Sequence, residues 1–396
     1  MRYSVVINDR MLRSAKTGVG HYTAQLLYRL PRVRPEARFI PFHATHISRR
    51  RLRDASATND EPGPVLRPPL RWPWTVRRFL QIGYEVVFRR IVRRCRYQLY
   101  HEPNHIPMAC DLPTVTTIHD LSVLRFPQWH PADRIAWYEA CFDRGLRQTE
   151  HFITVSRFTR DECLRYLNID PSRITVIYQA PREVFGAGPV LPETGRQVRK
   201  ALGLPEHFLL FVGTVEPRKN LMGLLEAYAR LEVRIRRRWK LVLVGMQGWE
   251  TESITERLRR LDVAADVRQT GYLSDERLAV VFGLATLFVF PSRYEGFGLP
   301  PLEAMASGCP CVISNAEALV EVAGDAAVAV DPDDTAAMAE AITRLIDDSD
   351  LRQTLIRRGR SRAAQFGWQP FAEGHDAVYR RVLGDYEPLR RWSAAR

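Results

Sequence analysis

Three short stretches bring together residue types that chemistry requires. In "FVGTVEPRKN", Arg218 and Lys219 stand just past an apolar run and just ahead of a helical one. Helix-start N–H groups and two cations form a site for a diphosphate. Positive charge at that position opposes the helix dipole, so the pair calls for an anion. In "PSRYEGFGLPPLEAMASG", Glu295 lies in a loop and Glu303 in the helix that follows. Gly296 and Gly298 let a backbone come close to a ligand. The amides of Phe297, Gly298 and Leu299 precede the helix, where phosphate oxygens are received. A loop carboxylate accepts from sugar hydroxyls, and one in the first helical turns accepts from a ribose diol. Together these features suit a nucleotide-sugar.

The third stretch, "HEPNH" (His101–His105), has the H-E-x-x-H spacing of a zinc protease. That reading needs a helix, because only there do the two histidines reach one metal. Pro103 sits inside the segment and Pro107 follows. Proline removes a donor and clashes with the preceding turn. "YQLY" upstream reads as a strand, and no third ligand is visible. The stretch is predicted to be a strand-end loop. "DPDD" (Asp331–Asp334) contains a D-x-D metal pattern but precedes "TAAMAEAITRL", so Asp333 or Asp334 is read as a helix N-cap. No metal or other cofactor is expected. "TGVG" and "VGTVEP" do not complete G-x-G-x-x-G, which argues against a dehydrogenase.

The elements that must position these residues alternate. "RYSVVIND", "QLYHEPN", "TVTTIHD" and "HFITVSR" read as strands, with "TGVGHYTAQLLYRL" as a glycine loop leading into a helix and Pro131–Arg147 as another helix. Short apolar runs with polar carboxyl ends are the pattern of buried parallel strands. After the Gly- and Pro-rich stretch Phe185–Leu204 a second series begins: "FLLFVGT", "KLVLVGM", "DVRQTGYL", "TLFVFPS" and "PCVISN", with helices between. Asn220 is placed to cap "LMGLLEAYARL". The expectation is two doubly wound α/β domains, Rossmann-like, facing each other across a cleft. Their predicted limits are 1–187 and 205–370, with a linker at 188–204. A final helix within 371–396 is expected to pack back towards the first domain.

The chain has 396 residues and a net charge of +13. The excess is arginine, gathered in Arg49–Arg53 and in Arg67–Tyr97. Aromatic and aliphatic residues interleave with the arginine pairs in the second segment, which reads as one or two basic amphipathic helices suited to an anionic membrane surface. No apolar run reaches the roughly 18 residues of a membrane span. "MRYSVVINDR" lacks a secretory apolar segment, so the expected location is the cytosol and the inner face of the membrane. The six cysteines form no C-x-x-C pair and are read as buried, reduced thiols.

Glu295 and Glu303 as E-x7-E, with "GTVEPRKN", "TGVGHYTAQL", "TIHDLS" and "ITVSRFTRDE", resemble the retaining GT-B glycosyltransferases of family 4. The resemblance covers nearly the whole chain and is strongest over 208–334. It implies that Lys219 holds the donor diphosphate, that Glu295 lies near the donor sugar and that Glu303 binds ribose. It further places the Gly18–Gly20 turn near the phosphates and acceptor, His119 beside the reacting centre and Tyr272 near the base. Many members carry an arginine where this chain has Thr214; Arg218 is expected to replace its charge. The implied reaction moves a hexose, with retention, from a nucleotide-sugar to a saccharide or polyprenyl-diphosphate-linked acceptor. GDP-mannose is the expected donor, with dTDP- or UDP-linked rhamnose or glucose as the alternative. Glu102, Asn104 and His105 are acceptor-side candidates. A covalent role for Glu295 is the weaker mechanistic reading. The related 2-epimerases lack the EPRKN and E-x7-E arrangement. An arginine-rich nucleic-acid-binding protein would leave the second half unexplained, so no nucleic-acid partner is expected.

Overall fold

Most strands are short runs rich in apolar or β-branched residues, and every sheet contact among the described residues is parallel, so each strand needs a crossover to the next. The computed structural model describes residues 3–13, 18–42, 74–246, 248 and 254–385. The segment Arg49–Arg53 and the first part of Arg67–Tyr97 lie outside them.

One compact unit runs to Gln179 and takes in the chain again from Trp368. Its strands are β1 (Ser4–Asn8), β2 (Arg38–Phe42), β3 (Leu99–Glu102), β4 (Thr114–Ile118), β5 (Thr149–Thr154) and β6 (Ile174–Val176). They pair in the order β2-β1-β3-β4-β5-β6. The second unit, Ala180–Gly367, holds β7 (His207–Val212), β8 (Trp239–Val244), β9 (Val267–Gly271), β10 (Leu287–Phe290), β11 (Cys311–Ser314) and β12 (Ala327–Val330). Their order is β12-β11-β10-β7-β8-β9. Read from the other edge and renumbered from β7, this is the doubly wound order 3-2-1-4-5-6. The winding reverses between β7 and β10 in the second sheet and between β1 and β3 in the first. Loops at the carboxyl ends of those pairs splay apart and leave a crevice for ligands.

Helix spacing explains the packing of the second unit. Leu221, Leu224, Leu225 and Tyr228 fall on one face of the helix Leu221–Arg230 and are buried. They meet Leu209, Phe211 and Leu243 of the sheet, with Met338, Ile342 and Leu345 of the helix Thr335–Asp347 in the same core. Each such side chain contributes about 1.5–3 kcal/mol by leaving water.

In the first unit the helix Trp368–Asp385 lies against the helix Gly18–Val33. Phe371, His375, Val378, Tyr379 and Val382 form its buried stripe. The stripe is stitched by polar bonds. Tyr379 Oη lies 2.6 Å from His101 Nδ1, and His375 Nε2 lies 2.6 Å from Tyr22 Oη. Asp376 accepts from Tyr3 and from Arg34, whose Nη2 is 2.7 Å away.

Two expectations about boundaries change. The stretch read as a linker contains a helix, Pro192–Leu202, closed by Gly203 in the left-handed region. Its proline and glycine punctuate that helix rather than loosen the chain. The units divide at Gln179 and Ala180, and the last helix begins at Trp368. Arg67–Tyr97 yields one helix, Trp74–Cys95. Its Phe88 and Val92 are buried against Phe42 and Tyr100, while Ile82, Val86 and Val87 are exposed. Arg89, Arg90, Arg93 and Arg94 are exposed as well. Among the described residues no helix is long and apolar enough to cross a membrane.

Candidate active site

At the switch point of the second sheet, the loop after β7 continues alongside the loop after β8. Val215 N–H donates to the Met246 carbonyl at 3.1 Å, and Gly213 N–H to that of Val244 at 3.0 Å. The approach requires glycine at 245: φ is +146° and a Cβ there would lie 1.9 Å from the Gly213 oxygen. The chain then turns through Pro217–Lys219. The loop after β10 returns onto this turn, with Arg293 N–H donating to the Arg218 carbonyl at 2.8 Å.

Lys219, Arg218 and Glu295 therefore meet. Lys219 Nζ donates to Glu295 Oε1, and Arg218 Nη1 to Oε2 at 3.1 Å. Ser292 Oγ lies 2.7 Å from Glu295 Oε1. Arg218 Nε donates to Glu216 Oε1 at 2.8 Å. Lys219 Nζ also sits 5.0 Å from the centre of the Phe290 ring. Burial pushes the Glu295 carboxyl upward, but Lys219 and Arg218 outweigh it and hold it below the usual carboxylate range. Two cations and two carboxylates balance one another. Asn220 occupies the N-cap position of the next helix at φ +54°, but its side chain makes no cap hydrogen bond. Its Nδ2 donates to the Pro332 carbonyl at 2.7 Å instead, which corrects the capping expectation.

The helix Leu299–Ala306 starts at Gly298, at φ +109°. Gly296, Phe297 and Gly298 are buried and Leu299 is half-buried. Glu303 is 3% exposed and carries a partner that no motif contains. Arg182 Nε donates to its Oε1 at 2.6 Å and Nη2 to its Oε2 at 2.7 Å. Arg182 also bonds Asp275. Only the need of a buried carboxylate for a cation hinted at such a residue; nothing local in "QAPREVF" identifies it. Tyr272, just past β9, is 38% exposed.

In the first unit, HEPNH is the end of β3 and the loop beyond it. His101 is held by Tyr379 and by Thr117, whose Oγ1 is 2.9 Å from Nε2. Glu102 accepts from Tyr100 Oη at 2.5 Å, Asn8 Nδ2 at 2.7 Å and Asn104 N at 3.0 Å. Burial outweighs these bonds and raises its carboxyl to about 7. Asn104 Nδ2 lies 3.5 Å from Met11 Sδ. His105 has φ +60°, and its buried Nδ1 makes no hydrogen bond within the protein. Both ring nitrogens of His101 are thus taken by Tyr379 and Thr117, and the described residues contain no group of three metal-ligating side chains.

His119, 8% exposed, has Nε2 2.8 Å from the Pro103 carbonyl. A carbonyl only accepts, so Nε2 carries the proton and Nδ1 is the acceptor. Burial lowers the ring's pKa, more than the Pro103 carbonyl raises it. The Tyr22 ring meets it edge-on at 4.9 Å. Gly18 and Gly20 lie in the first turn of the helix Gly18–Val33 rather than in a loop. Asp334 is the N-cap in DPDD, accepting from Ala336 and Ala337 N at 3.1 and 2.8 Å. The six cysteines are unbridged, but only Cys163, Cys309 and Cys311 are buried; Cys110 and Cys141 are half-buried and Cys95 is exposed.

Two parallel doubly wound sheets of this kind define the GT-B class of α/β proteins. Residues 17–180 match the Glycosyltransferase Family 4 description and residues 196–362 the description "glycosyl transferases group 1". O-antigen chain mannosyltransferase B of Escherichia coli is 34% identical over 381 residues, which cover 92% of this chain and 96% of that protein. The chain belongs to this family and is a glycosyltransferase. Sucrose-phosphate synthase from Thermosynechococcus elongatus shares the fold at TM-score 0.70 and 20% identity, covering 97% of this chain and 100% of that one. Anabaena HepE in complex with UDP does so at TM-score 0.67 and 15% identity, covering 96% and 100%.

Proposed function

We propose that this glycosyltransferase moves mannose from GDP-mannose, with retention, to a saccharide or polyprenyl-diphosphate-linked acceptor in O-antigen-type synthesis. The observation that carries the reading is the joining of Arg218 and Lys219 to Glu295 at the second sheet's switch point. The mannosyl part rests on the Escherichia coli relative, 34% identical over 381 residues. A UDP- or dTDP-sugar donor is the alternative.

Lys219 and Arg218 take the donor diphosphate, helped by the amides of Phe297, Gly298 and Leu299. Arg218 supplies the charge that Thr214 lacks. The diphosphate competes with Glu295 for both cations, which frees the carboxylate to accept from a sugar hydroxyl. Glu303 serves the ribose and Tyr272 the base. On the first unit, Gly18 and Gly20 approach the phosphates, and His119 accepts from the donor sugar at Nδ1. Glu102, Asn104 and His105 serve the acceptor. The bond from the anomeric carbon to the phosphate oxygen breaks, and the acceptor oxygen bonds that carbon on the same face. The acceptor's proton passes to the departing phosphate oxygen. Neither a protein nucleophile nor a metal is required. The exposed face of Trp74–Cys95, with Ile82, Val86, Val87, Arg90 and Arg94, contacts anionic lipid.

Thermal shifts with GDP, UDP, dTDP and their sugars test the donor. A ligand at 100 times its Kd stabilises by about 2.7 kcal/mol, so the preferred base stands out. Stabilisation by GDP-mannose and an α-linked product are expected. No shift with any nucleotide would remove the donor site.

A further inference from the structure

Arg182 belongs to no motif, yet it joins two carboxylates of the second unit. Its fork spans both oxygens of Glu303, 121 positions away in sequence, at 2.6 and 2.7 Å. Its Nη1 donates to Asp275 Oδ1, and the Phe185 ring centre lies 4.6 Å from the guanidinium carbon. The Arg182 side chain is 15% exposed and that of Glu303 is 3% exposed. A planar guanidinium fixed by two carboxylates and a ring leaves the Glu303 carboxylate one orientation.

An ionised carboxylate offers about two acceptor directions on each oxygen. The fork occupies one on each. Those left point outward, one from each oxygen, so the ribose diol meets one oxygen whose position the fork sets. Asp275 opens the helix Asp275–Leu284, three residues after Tyr272. The same guanidinium therefore ties the start of that helix to Glu303. One cation between two carboxylates also leaves a net negative charge, which disfavours phosphate and leaves it to Arg218 and Lys219.

We propose that Arg182 is a positioning residue that aims Glu303 at the 2′ and 3′ hydroxyls of the donor nucleoside, and so selects ribonucleotides over 2′-deoxyribonucleotides. The inference rests on the assignment of Glu303 to the ribose above. It also separates GDP- and UDP-sugars from dTDP-sugars, which lack the 2′ hydroxyl.

The test is calorimetric titration of the whole protein with GDP, 2′-deoxy-GDP, UDP and 2′-deoxy-UDP. Arg182→Lys keeps the charge and loses the fork. The wild type should favour the ribo form by about tenfold or more, the effect of one lost hydrogen bond to a charged group. Arg182→Lys should shrink that preference to about twofold, with the deoxy form bound nearly as before. Glu303→Gln, with Arg182 in place, should also lose it, and the double variant should lose no more than either alone. Circular dichroism and melting temperature establish that each variant is folded. A folded Arg182→Lys or Glu303→Gln variant that keeps the full preference overturns the inference while leaving the donor site standing. A wild type that binds no nucleoside diphosphate overturns both.

Discussion

Lys219 donates to Glu295 from 76 positions away, and less than a tenth of either residue is exposed. Their strands, β7 and β10, are neighbours only because the winding of the sheet reverses between them. Glu295→Ala leaves Lys219 as a buried cation without its carboxylate, and is expected to cost about 3 kcal/mol in urea unfolding. Lys219→Ala should cost less, about 1–2 kcal/mol, because Arg218 and Ser292 still hold Glu295. The double variant should be more stable than the sum of the two losses predicts. Strict additivity would mean the pair is not coupled. Transfer should fall at least about 100-fold in each single variant.

Acid should weaken the first unit before carboxylate chemistry does. Burial lowers His105 and His375 to about 4 from an ordinary 6.5, and depresses His101 and His119 as well. The unfolded chain then binds more protons, so stability is present above 6.5 and lost as pH falls towards 4. Glu102, raised to about 7 by burial, acts oppositely: it stabilises at low pH and loses that contribution as pH rises through 7. Four histidines outweigh one carboxyl. Urea midpoints should therefore drop between pH 6.5 and 4.5, and more steeply in Glu102→Gln. A flat profile, or an unchanged slope in that variant, would refute the balance.

Tyr379 tests the hold of the last helix on the first unit. Tyr379→Phe removes the hydroxyl 2.6 Å from His101 Nδ1 and leaves a buried nitrogen unpaired. The expected loss is about 1–3 kcal/mol. Tyr379→Ala also opens a cavity and should cost about 3–5 kcal/mol. If the two variants unfold at the same denaturant concentration, the ring contributes no packing there.

The exposed face of Trp74–Cys95 should bind anionic vesicles in a salt-dependent way. Each basic residue near such a surface contributes about 1 kcal/mol, so Arg90→Gln with Arg94→Gln should weaken co-sedimentation by about tenfold or more. Ile82→Asp should weaken it independently, through the lost apolar contact. Equal binding to neutral and anionic vesicles, or by wild type and variants, would reject a membrane role for this helix.

Much of the fold was legible in the sequence because periodicity and punctuation are local. The apolar runs of "SVVIN" and "HFLLFV" could only be buried strands, and helices between them dictated parallel pairing. Pro103 and Pro107, with the apolar run of YQLY upstream, were enough to turn HEPNH from a helix into a strand end. The same local reasoning failed where glycine and proline had two meanings. Pro192 and Gly203 bound a helix, not a linker. Asn220 sits at a helix start, but its backbone takes the left-handed conformation and its amide turns to Pro332.

What the sequence determined by itself was the strand–helix alternation, the types of residue available for chemistry and the positions of Arg218, Lys219, Glu295 and Glu303 beside strand ends and helix starts. Tertiary structure decided which of them meet. Strand order carried Glu295 to Lys219, and chain reversal at Trp368 brought Tyr379 to His101. The pairing of Arg182 with Glu303 had no local signature, because a buried charge is satisfied by whichever opposite charge the fold delivers. Spacing along a chain records periodicity, whereas the partner of a buried ion is set by sheet order and burial.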